Sequence, residues 1–74
     1  MILDLILTKT DDGYTAEVPS LKGCECWSHT EDEALDKILE LTEFYLHRTS
    51  KEKMKLDIAR KEKNKTIYKL IFDK

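Results

Sequence analysis

Cys24, Cys26 and His29 stand in a Cys-x-Cys-x-x-His pattern. Thiolates and an imidazole are ligands that zinc favours. A closed structural site takes four of them, with cysteines usually separated by roughly two to four residues. His47, at the far end of a candidate helix, is the one further histidine, so such a site would have to be shared between two copies. A Cys/His nucleophile pair lacks a third group to orient its histidine. The pattern therefore reads as packing, with Cys24 a small buried residue after a turn at Gly23 and Cys26 beside it. Asp4 sits where a carboxylate for two-metal phosphoryl chemistry could sit, but that chemistry needs a cluster of acids. None on another strand matches it, so Asp4 reads as a polar residue on an outer sheet face. Arg60, Lys61, Lys63 and Lys65 form a basic tip. Phosphate contacts alone are weak and salt-sensitive, and no aromatic residues interleave these lysines as single-strand binding would want. The tip reads as a solvated turn whose lysines discourage edge pairing. No catalytic residue, metal or cofactor is expected, and the chain is not expected to be an enzyme.

These residues need elements to hold them. Residues 2–8 alternate, with Leu3, Leu5 and Leu7 on one face and Ile2, Asp4, Ile6 and Thr8 on the other, which predicts a central strand. Asp12-Gly13 signals a two-residue turn, on the ground that glycine accepts positive φ. Tyr14, Ala16 and Val18 point inward on a second strand, which Pro19 ends. Cys24 to Ser28 makes a third short strand with both thiols on one side and Trp27 on the other. Thr30 followed by Glu33 is a capping box, and Glu31, Asp32 and Glu33 suit the positive end of a helix. Ala34, Leu35, Ile38, Leu39, Leu41, Thr42, Tyr45 and Leu46 form one helical stripe, so a helix is predicted from 31 to about 48, with His47, Arg48 and Lys51 at its negative end. Met54, Leu56 and Ile58 alternate, and Thr66 to Phe72 is β-rich with Tyr68, Leu70 and Phe72 on one side. A hairpin turning at 61–64 is preferred there over a helix across 51–62, which its Lys, Glu and Ala content would support. That helix would scatter Met54, Leu56 and Ile58 around its circumference.

The predicted order is β-β-β-α-β-β, an α+β two-layer sandwich with one helix on a small antiparallel or mixed sheet. Its core is Leu3, Leu5, Leu7, Tyr14, Ala16, Val18, Leu35, Ile38, Leu39, Leu41 and Tyr45. The chain has 74 residues, 41% hydrophobic and 38% charged, with two glycines and one proline. That excludes a linker or a disordered chain and fits one domain over 1–74. A chain this short buries only roughly 60% of its extended surface, and two cysteines cannot staple it, so self-association is a route to stability. No apolar run reaches the roughly 18 residues of a membrane span. The apolar N-terminus carries Asp4 and no basic lead, unlike a signal peptide, so a cytoplasmic location is expected. The net charge of −2 hides a dipole. Residues 1–46 carry 3 basic and 11 acidic side chains, and residues 47–74 carry 10 and 4. Such a chain is not a uniformly basic nucleic-acid binder.

Ile2, Ile6, Trp27, Ile67 and Ile71 remain outside the core, too many for an ordinary wet face. With Glu25 they make the candidate partner-binding residues. Trp27, the sole tryptophan, either caps the open end of the core or anchors an interface. Asp4 and Lys69 each lie between two isoleucines, so pairing of their strands would set the two charges opposite each other.

The stretch from Tyr14 to Leu41 resembles the N-terminal domain of the HicB-like antitoxin family. The carrying residues are Glu17-Val18-Pro19-Ser20-Leu21-Lys22-Gly23-Cys24, then Ser28-His29-Thr30, then Glu31-Asp32-Glu33-Ala34-Leu35, preceded by Asp12-Gly13-Tyr14. Ser20, Lys22 and Ser28-His29 depart from the family's aspartate, proline and Gly-Asp. The resemblance implies a partial RNase H fold, in which a strand around Met54 to Ile58 would return beside the strand at 2–8 and parallel to it. It implies a small toxin partner, HicA-like, that cleaves mRNA and is silenced by being bound. Many members carry a further DNA-binding domain, for which these 74 residues have no room, so DNA binding by this chain alone is not expected. The expected function is therefore antitoxin-like binding. A stand-alone oligomer (homodimer or larger) and a weak RNA-binding module are the alternatives.

Overall fold

Every strand pairing in the computed structural model, which describes residues 2–46 and 54–71, is antiparallel. The elements are β1 (Ile2–Lys9), β2 (Tyr14–Glu17), β3 (Glu25–Ser28), α1 (Glu31–Leu46), β4 (Lys55–Lys61) and β5 (Lys65–Ile71). They form one five-stranded sheet in the order β3-β2-β1-β5-β4 with a single helix, an α+β fold. The predicted element order and the hairpin over the last third are as found.

The strand pairing corrects one expectation. The strand beside β1 is β5, not the strand after Met54, and it runs antiparallel to β1. β4 pairs only with the far side of β5. The fill of the buried layer explains the choice. Leu3 stands opposite Leu70 and Leu5 opposite Tyr68, and all four are buried. β4 instead carries Lys55, Asp57, Arg60 and Lys61, which suit a wet edge. Its pairing shifts register between Ile58 and Arg60, a bulge of the kind common at sheet edges.

α1 begins as its sequence dictates. The Glu33 amide donates to Thr30 Oγ1 at 3.2 Å, satisfying one of the free N–H groups of the first turn. The helix packs over β3, β2 and, less closely, β1. Ala34, Ile38 and Thr42 are its buried positions, and Leu35, Leu39, Leu41 and Leu46 pack partly against the core. Thr42 stays buried without an orphaned hydroxyl by donating to the Ile38 carbonyl at 2.7 Å. Tyr45 was expected in the core and is 39% exposed. It lies instead over the Gly23 loop, where a Cβ on Gly23 would come within 3.1 Å of its hydroxyl. Gly23 has φ +82°, the left-handed conformation that favours glycine. His47, Arg48 and Lys51, expected at the helix end, lie outside the described residues, as does Phe72. Among the described residues no helix is long and apolar enough to cross a membrane.

The helix leaves β4 uncovered. Ile58, on the helix-side face, is therefore 61% exposed. Tyr68 ties β5 to the start of α1, its hydroxyl donating to Glu31 Oε1 at 3.2 Å.

Candidate interaction surfaces

The register assigns each outward side chain to a row on the sheet face opposite α1. Ile2 lies opposite Ile71, Asp4 opposite Lys69 and Ile6 opposite Ile67. Glu17 lies beside Ile6, Glu25 beside Glu17, and Trp27 beside Thr15. Asp57 flanks Lys69, and Arg60 flanks Ile67. All six candidate partner-binding residues, Glu25, Trp27, Ile2, Ile6, Ile67 and Ile71, therefore share one face. No segment of the described chain covers it. Ile2 is 61% exposed and Trp27 41%. Ile6, Ile67 and Ile71 are half-buried by their neighbours alone. Asp4 and Lys69 form an ion pair between the isoleucines, as their positions in sequence suggested. Both are about half exposed, so the pair adds little stability. It does neutralise the middle of an apolar patch.

Trp27 does not cap the core. Its ring lies over Gly13, stacks edge-on against His29 at 4.7 Å and has Nε1 3.5 Å from Thr10 Oγ1. A Cβ on Gly13 would stand 2.6 Å from Cζ2 of that ring and closer still to the Ser28 carbonyl oxygen. The β1–β2 connection spans residues 10–13 and closes with the Thr10 amide donating to the Gly13 carbonyl at 2.8 Å. Of the glycines only Gly23 has positive φ. The expected two-residue turn with a left-handed Gly13 is therefore corrected: Gly13 is glycine because nothing larger fits beneath Trp27.

The two thiols point the other way, toward α1. Cys24 Sγ is 3.7 Å from Thr42 Oγ1, and Cys26 donates to the Ala34 carbonyl at 3.6 Å. His29 turns instead to Trp27, so the Cys-x-Cys-x-x-His pattern does not converge on a point. Among the described residues no three His, Cys, Asp or Glu side chains gather as a metal centre would require; His47 lies outside them. Burial pushes both thiols above their ordinary value, Thr42 partly offsetting it at Cys24 and Lys37 at Cys26. They are poor nucleophiles at neutral pH.

Two charged surfaces complete the picture. Glu31, Asp32, Glu33, Asp36 and Glu40 on α1 are exposed, an acidic surface opposite the sheet's outer face. At the tip of the β4–β5 hairpin, Lys9, Lys61, Lys63 and Lys65 border a cleft of about 210 Å³. Glu31 and Glu62 stand in the same cleft, so its field is mixed. Arg60 does not join it, turning to Glu62 at 3.5 Å. Sequence reasoning missed Phe44, 69% exposed and edge-on to Tyr45. Its position off the apolar stripe of α1 was the available signal.

A stretch of 46 residues is 41% identical to a protein of Helicobacter pylori (strain J99 / ATCC 700824) described as a UPF0150 protein. The match covers 62% of this chain and 64% of that protein, so the chain spans just under two thirds of the length of this curated relative. No protein-family profile matches the chain, and no solved structure matches it.

Proposed function

We propose that this chain is a non-enzymatic, antitoxin-like binding protein that neutralises a small basic mRNA-cleaving toxin by covering its RNA-binding surface. UPF0150 is the HicB-like family, and the partial match to one of its members supports the same resemblance as the loop, cap and helix motif. The observation that carries the mode of binding is the acidic surface of α1, with Glu31, Asp32, Glu33, Asp36 and Glu40 exposed along it. A basic RNA-binding protein presents the complementary potential, which would speed encounter and fix orientation. The antiparallel sheet and its buried leucines supply the rigid base for that helix.

The test is recovery of a tagged copy from its native cell at moderate salt, with mass spectrometry of what elutes. The expected result is a stoichiometric small basic protein whose RNA cleavage stops on adding about one equivalent of this chain. Elution without such a protein, or cleavage that continues at saturation, overturns the reading. The lysines of the hairpin-tip cleft favour a second reading, weak RNA binding. RNA retention that collapses between low and moderate salt would select it.

A further inference from the structure

We infer that the outer sheet face is an interface with a second copy of this chain, packed face to face about a two-fold axis running along the strands between β1 and β5. The inference stands apart from the antitoxin reading and survives if no toxin is found. Its warrant is that the face complements itself. Four isoleucines fill two adjacent strands, Ile2 opposite Ile71 and Ile6 opposite Ile67. Rotation about that axis lays each Ile6 over Ile67 of the partner subunit, and each Ile2 over the partner subunit's Ile71. It also lays Asp4 over the partner's Lys69. The flanks differ in net sign, with Glu17 and Glu25 on β2 and β3 and Lys55, Asp57 and Arg60 on β4. The same rotation brings Glu17 over the partner's Arg60. An isologous contact demands this kind of self-matching, and a face bearing a single sign of charge would repel its own copy.

Size sets the strength. This axis lays β2, β1, β5 and β4 over their partners and leaves β3 overhanging. Four strands at about 4.8 Å spacing and about 3.4 Å per residue give a contact of about 400 Å² per copy. Two faces bury about 800 Å², the size of a weak, transient contact and well short of an obligate one. A contact of this size is a weak, reversible one. The sheets stack as in a sandwich, with interdigitated isoleucines between them.

Sedimentation velocity of the full chain from about 5 to 500 µM tests this. The expected result is a shift from monomer to dimer across the series. Within one chain Glu17 and Arg60 are three strands apart, about 14 Å, too far to pair. Glu17→Arg and Arg60→Glu should each weaken the dimer about tenfold, and the double variant should restore most of the loss. Circular dichroism checks that each variant remains folded, as expected at solvent-facing positions. A chain that stays monomeric throughout the series overturns the inference and leaves the face to a different partner. So does a double variant no stronger than either single one.

Discussion

Gly13 shows how much one missing methyl can matter. The Trp27 ring and the Ser28 carbonyl occupy the space a Cβ would need. Gly13→Ala must lift the ring from the outer face or move the loop, at a cost of about 1–3 kcal/mol. Urea denaturation of the variant should show that loss, with a red-shifted Trp27 fluorescence as the ring becomes more exposed. The Asp12-Gly13 pair announced a turn in the sequence. The steric reason did not appear there, because the atoms that forbid a side chain belong to β3. The buried Cys24 and Tyr68 and the half-buried Cys26 make a second prediction at this scale. Burial raises all three, and for Tyr68 the nearby Glu31 and Asp32 carboxylates raise it further. Ordinary values are 9.0 for the thiols and 10.0 for the phenol. Above those values the unfolded chain has released protons that the folded chain still holds. Their contribution to stability is therefore full below about pH 9 and is lost as pH rises through the folded values. The urea midpoint of the reduced protein should fall from about pH 9 upward. In the Cys24→Ala/Cys26→Ala variant the fall should begin nearer pH 10. An identical profile in both proteins would exclude the thiols as its cause.

Among the elements, β4 and β5 look alike in sequence and differ in consequence. Both alternate, and both were read as strands. Leu70 on β5 is fully buried between β1 and β4, while Ile58 on β4 is 61% exposed. Leu70→Ala should cost about 2–5 kcal/mol, and Ile58→Thr should change stability by about 0.5 kcal/mol or less. Thermal melts of the two variants check the contrast, and equal losses would contradict the strand order. Alternation identified these strands, and the Thr30–Glu33 cap identified α1, because both signals are local. Which strand lies beside β1 is a long-range competition. It was decided by whether Tyr68 and Leu70, or Leu56 and Ile58, better fill the layer under Leu3 and Leu5. Period-two patterning does not rank those options. The same limit explains Tyr45, expected in the core from the stripe of α1 and found over the Gly23 loop.

For the molecule as a whole, the charge dipole in the sequence becomes a division of surfaces. The acids of α1 lie on one side, the isoleucine-rich sheet face on the other, and the lysine tip at one end. The apolar residues left over in the sequence proved to be in register on one face. Their number was legible from composition, but their gathering depended on β1 pairing with β5. That pairing also governs when the fold can form. β1 comes first among the described strands and β5 last, yet they are neighbours in the centre of the sheet. Closing so long a loop before any reward is slow. During synthesis α1 and the β1–β2–β3 meander emerge early, and β1 waits with one edge bare and Leu3, Leu5 and Leu7 half covered. Only when the ribosome has released β5 can the sheet be completed. Each nascent chain therefore passes through an interval in which its first strand offers an open edge to any other chain nearby.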